Sequence, residues 1–82
     1  MVVIHIPIPD SFLERNESEL MELIQARMTG YSGNTPFHTM VADAVSSILG
    51  SDVRTEISEG RTRFIAVVDS DEEAVKLILT HF

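Results

Sequence analysis

Three histidines, His5, His38 and His81, are the only imidazoles in the chain, and there is no cysteine. A metal site built from imidazoles needs two or three ligands brought together, most directly by ligand spacing on one helix or strand. No two of these histidines are so spaced. Asp43 follows His38 by five residues on the same expected helix, about 140° around its axis, so the pair does not share a face. No metal and no other cofactor is expected. Ser11 and Ser32 are conceivable nucleophiles, but neither has an implied base beside it. Gly30-Tyr31-Ser32-Gly33 also lacks the strand–turn–helix setting of a nucleophile elbow. Adjacent acids such as Asp71 and Glu72 would need a desolvated pocket for acid–base work, and a core this small gives little depth for one. The expectation is a non-catalytic protein.

At 82 residues the chain fits one globular domain spanning 1–82. Its 44% hydrophobic and 23% charged content is that of a folded protein. Thirteen acidic against six basic residues give a net charge of −7, which argues against tight binding to a phosphate backbone. The absence of cysteine fits a reducing compartment. The N-terminus, Met1-Val-Val-Ile-His-Ile-Pro, shows neither the basic region nor the cleavage site of a signal peptide. No apolar run is long enough to span a bilayer. A cytoplasmic protein with no membrane contact is expected.

Val2 to Pro9 alternates in hydrophobicity as a strand does, and Pro7 and Pro9, which lack amide protons, place it at a sheet edge. Leu13, Leu20, Leu23, Ile24 and Met28 predict a helical stretch within 12–28. Asn16 and Glu19 suggest a capping box, so the best-defined helix begins near Glu17 after an irregular or short helical segment at 11–15. A turn at Gly30–Asn34 follows. Thr35 as N-cap with Pro36 at the first helical position then starts a main core helix that stops at Gly50. Val53, Thr55 and Ile57 alternate with polar residues as the second strand. Glu59-Gly60 is a two-residue hairpin turn. Arg61 to Val68 is the third strand, apolar at five consecutive positions from Phe64. Ser70-x-x-Glu73 caps a last helix whose expected stripe is Ala74, Val75, Ile78, Leu79 and Phe82. The expected core is Ile4, Ile6, Leu20, Ile24, Val41, Val45, Ile48, Ile57, Phe64, Ala66, Val75 and Ile78.

The hairpin turn fixes a register in which Ser58 faces Arg61, Glu56 faces Arg63 and Arg54 faces Ile65. A slip of one residue would turn one strand's side chains to the wrong face. The doubly apolar third strand then lies in the middle, giving a two-layer β-α-α-β-β-α domain of α+β class. It has a mainly antiparallel three-stranded sheet with three helices on one face.

This element order, with Gly30-Tyr31-Ser32-Gly33 between the first two helices, resembles a type I K-homology (KH) domain. Gly30 and Gly33 stand where that family's backbone-clamping Gly-x-x-Gly loop lies, and Phe64 to Phe82 looks like its closing strand and helix. KH domains bind short single-stranded RNA or DNA. The resemblance implies nucleic-acid binding through Gly30, Tyr31, Ser32 and Gly33.

The residues themselves point elsewhere. Arg54, Arg61, Arg63, Ile65 and Val67 fall on the outer face of the sheet, where the first strand adds Val3 and His5. Half of the chain's basic residues thus share a small apolar surface, and arginine beside aliphatic side chains suits a protein interface. The expected function is a protein-interaction or regulatory module whose partner is another protein, a second copy of the chain included. A further alternative rests on the Glu14–Glu22 face and the Asp69–Glu73 cluster: an acidic decoy that occupies a partner's nucleic-acid groove.

Overall fold

The computed structural model describes residues 3–82; the expected strand start at Val2 lies outside them. Its sheet is organised by the Glu59-Gly60 turn, in which both residues have positive φ, 52° and 74°. Two consecutive left-handed residues make a type I′ turn, whose twist matches that of the strands it joins. Strand β2 (Asp52–Ser58) pairs antiparallel with β3 (Arg61–Val68) in the expected register, Ser58 opposite Arg61 through Val53 opposite Ala66. Strand β1 (Ile4–Pro7) pairs antiparallel with the other side of β3, Ile4 opposite Val68 and Ile6 opposite Ala66. The strand order is β1-β3-β2. The central strand is therefore the apolar one, and the proline-bearing strand is an edge.

The helices cover one face of this sheet. The first helical segment is interrupted: α1 (Asp10–Arg15) gives way at Asn16 to α2 (Glu17–Arg27), which ends in a 3₁₀ turn at Met28–Gly30. Helices α3 (Phe37–Leu49) and α4 (Asp71–His81) complete the layer. Gly50 ends α3 with φ 71°, where a side chain would be strained. Ile6, Ala66 and Val68 from the strands, with Ile8 just beyond β1, meet Phe12, Leu20, Ile24, Ala44, Val45, Leu49, Ala74 and Leu77 from the helices in one core. The fold is an α+β two-layer domain with an antiparallel three-stranded sheet.

Several local expectations are corrected. Asn16 does not form a capping box, because its side-chain amide donates instead to the Phe12 carbonyl at 2.9 Å. That bond satisfies the end of α1 rather than the start of α2. Pro36, with extended ψ of 148°, is the N-cap of α3, so Thr35 is one residue too early. The Thr35 hydroxyl bonds Ser32 within the loop at 3.0 Å. Among expected core residues, Ile57, Val75 and Ile78 are exposed. Ile57 lies where the hairpin runs past the helix layer, and α4 is rolled so that Ala74 and Leu77 face the sheet. Phe12, absent from the expected core, is only 1% exposed. At the C-terminus the His81 and Phe82 rings meet Phe12 edge-on, with centroids at 6.3 and 5.4 Å.

The cap at α4 is as expected, with Ser70 Oγ accepting from the Glu73 N–H at 3.2 Å. Ser70→Ala should destabilise the domain by about 1 kcal/mol. Urea unfolding would show it as a lower midpoint at unchanged slope.

Candidate functional site

Side-chain alternation divides β3 between two environments. Ala66 and Val68 are buried beneath the helices, whereas Ile65 and Val67 point to the opposite face and are half-buried. Among the described residues no helix or loop crosses that face, and the shelter of Ile65 and Val67 comes from neighbouring strands. The pairing sets out rows across it. Pro7, Ile65 and Arg54 form one row, and His5, Val67 and Asp52 the next. Arg63 beside Glu56, and Arg61 beside Ser58, continue toward the hairpin turn. Val3 extends the face beyond β1 and is itself exposed. The structure thus brings Val3, His5, Arg54, Arg61, Arg63, Ile65 and Val67 onto one surface. Its centre is aliphatic and its margin carries arginines interleaved with Asp52 and Glu56.

Arginine is suited to this position, because its planar, weakly hydrated guanidinium can lie against apolar groups while bonding a carboxylate in two places. The other two arginines are engaged elsewhere. Arg15 donates to the His81 carbonyl at 3.0 Å and the Ser11 carbonyl at 3.3 Å. Arg27 donates to Ser47 Oγ at 2.6 Å and the Asp43 carbonyl at 3.4 Å.

The Gly30–Gly33 loop is built differently. Gly30 closes the 3₁₀ turn, neither glycine has positive φ, and a Cβ at either would meet open space. Their conformations do not require glycine. Tyr31 folds back on α3, its hydroxyl donating to Asp43 Oδ2 at 3.2 Å. Partial desolvation raises the Tyr31 pKa, and the hydrogen bond and charge of Asp43 raise it further against a smaller opposing effect of Arg27. The loop therefore presents a carboxylate at its base, and the neighbouring Arg27 is already bonded to α3. Tyr31 is the only tyrosine and there is no tryptophan, so tyrosinate absorbance reports it alone. Asp43→Asn should bring its titration down toward the ordinary phenol range. Since folding favours the neutral phenol, the associated stability is complete below the unfolded pKa and is lost as pH rises through the folded one.

The histidines do not converge. His5 lies on the open sheet face, His38 in the first turn of α3 and His81 at the end of α4. Among the described residues no three His, Asp or Glu side chains gather as metal ligands, and no polar side chain is buried. No helix among them is long and apolar enough to cross a membrane. Sequence reasoning missed one surface, the exposed Val75, Ile78 and Leu79 on α4. The signal was present, since Leu77 competes with them for the buried side of a helix that is apolar over most of its circumference. No family model, curated protein or solved structure matches the chain.

Proposed function

We propose that the protein is a non-catalytic interaction module that binds another protein across the open face of its sheet. The observation that carries this reading is the pair Ile65 and Val67, central on a face with no layer over them and flanked by Arg54 and Arg63. An aliphatic centre with an arginine margin favours a partner segment that combines apolar and acidic side chains. The arginine contribution weakens with salt and the apolar contribution does not.

Selection from a random peptide display library tests this, with an Ile65→Glu, Val67→Lys variant as the counter-selecting bait. The reading requires enriched ligands that hold to the wild type, fail on the variant and carry acids beside apolar residues. Ligands that bind both baits equally would overturn it.

The element order along the chain is what supports the competing KH-like reading, in which single-stranded nucleic acid binds Gly30–Gly33. Asp43 beneath the loop and the engaged Arg27 weigh against it. Titration with mixed RNA and DNA oligonucleotides at low salt should leave the NMR signals of Gly30, Tyr31 and Gly33 in place; saturable shifts there would favour nucleic acid. The acidic-decoy alternative has only the exposed acids of α2 and α4 in its support.

A further inference from the structure

The open sheet face carries both signs of charge, and it carries them in order. From the hairpin turn it runs through Arg61 and Arg63 to Ile65 with Arg54 beside it, then to Val67 with Asp52 beside it. Asp69, one residue past β3, ends the series and lines a depression with Val3, Asp52 and Val67. Arg54, Arg61 and Arg63 are thus matched by Asp52, Glu56 and Asp69. The face is neutral, and the whole net charge of −7 falls on the rest of the chain. Surfaces of one sign repel their own copy; this one does not.

We propose that a second copy of the chain docks here, face against face, about a two-fold axis that crosses the strands between Ile65 and Val67. The inference rests on the reading of this face as a protein-binding surface and names its partner. Packed sheets keep their strand directions within about 30° of one another, so the rows of one copy lie over the rows of the other. Ile65 then lies over Val67 of the second copy, and Val67 over its Ile65. Arg54 meets Asp52 of the second copy, and Asp52 meets its Arg54. One row further out Arg63 meets Asp69, again twice by symmetry. Four opposite-charge pairs flank four aliphatic side chains.

Charge selects this axis over its neighbours. An axis along β3 would stack Arg61 on Arg61 and Arg63 on Arg63. One crossing the strands at Ile65 would set Arg54 on Arg54 and Glu56 on Asp52. One placed a row nearer the turn would cover Ile65 and Val67 with arginines. Only between Ile65 and Val67 do aliphatic groups cover one another while the arginines meet carboxylates. The second copy therefore supplies what the face asks of a partner, apolar side chains with acids beside them.

Four rows of about 6.8 Å and three strands about 4.8 Å apart give a footprint on the order of 400 Å² per copy. That is the size of a transient contact, not of a permanent interface. The dimer accordingly has a Kd on the order of 100 μM and yields the face to a tighter partner. Because exposed charge pairs select it, salt weakens it several-fold.

Sedimentation velocity at low salt, from low micromolar to millimolar concentration, tests the proposal by charge reversal. The wild type should pass from monomer to dimer. Arg54→Asp and Asp52→Arg each set like charges together twice, so each variant alone should stay monomeric. Mixed in equal amounts the two should pair, because every clash in either homodimer becomes an attraction in the mixed one. Both positions are exposed, and circular dichroism should show both variants folded. Leu79→Lys, on α4, should dimerise as the wild type does. A wild type monomeric throughout, a dimer that survives either single reversal, or folded variants that do not pair when mixed would overturn the dimer. Selected acidic–apolar peptides that still bind such a monomer would leave the protein-binding reading standing without it. Absence of any such ligand would remove both.

Discussion

Phe12→Ala is expected to leave the domain unfolded or close to its unfolding midpoint under native conditions. Phe12 is 1% exposed and is one of the two largest fully buried side chains, with Val45. Its ring meets Phe82 and His81 edge-on, and its carbonyl accepts from both the Asn16 N–H and the Asn16 side chain. One residue thus ties α1 to the end of α4 and shapes the passage into α2. Truncating a buried phenylalanine costs about 3–5 kcal/mol, part from lost transfer and part from the cavity left behind. Small domains are stable by only about 5–15 kcal/mol, and one of this length falls toward the lower end. Urea unfolding of Phe12→Ala and Phe12→Leu measures this. The leucine variant should recover much of the loss, and a cost below about 1 kcal/mol for alanine would refute the assigned role.

The second large effect separates binding from folding along one strand. Ile65→Glu with Val67→Lys should abolish partner binding while the domain stays folded. Both side chains lie on the face away from the core, so the change costs packing with neighbouring strands and β-propensity, about 1 kcal/mol or less at each site. The neighbouring position behaves oppositely. Ala66 is fully buried against the helices, so Ala66→Glu places a carboxylate in an apolar core without a partner and should unfold the protein. Circular dichroism of the two variants distinguishes them. If Ala66→Glu folds and the double variant does not, the assignment of the two faces is inverted.

The open face was legible in the sequence because it follows from parity. A two-residue Glu59-Gly60 turn sets the register, register sets which residues share a face, and Pro7 marks the edge. The orientation of α4 was not legible. Ala74, Val75, Leu77, Ile78, Leu79 and Phe82 spread around most of the helix, so hydrophobicity alone does not choose a buried side. The small Ala74 and the contact of Phe82 with Phe12 make that choice in three dimensions. Asn16 was misread for a related reason. Its side chain can serve the helix before it or the one after it, and only the close succession of α1 and α2 determines which. Ile57 has a strand's alternation, but burial along a strand depends on how far the helix layer reaches, and local pattern does not contain that length.

The central claim is that Ile65, Val67 and the arginines beside them form a protein-binding surface. Its most direct measurement is NMR chemical-shift mapping of the isotope-labelled protein with a selected acidic–apolar peptide. The largest saturable changes should fall on Arg54, Arg63, Ile65, Val67 and His5, with Gly30–Gly33 and α4 unmoved. Changes centred on Gly30–Gly33 or on Val75–Leu79, with the sheet face silent, would contradict it.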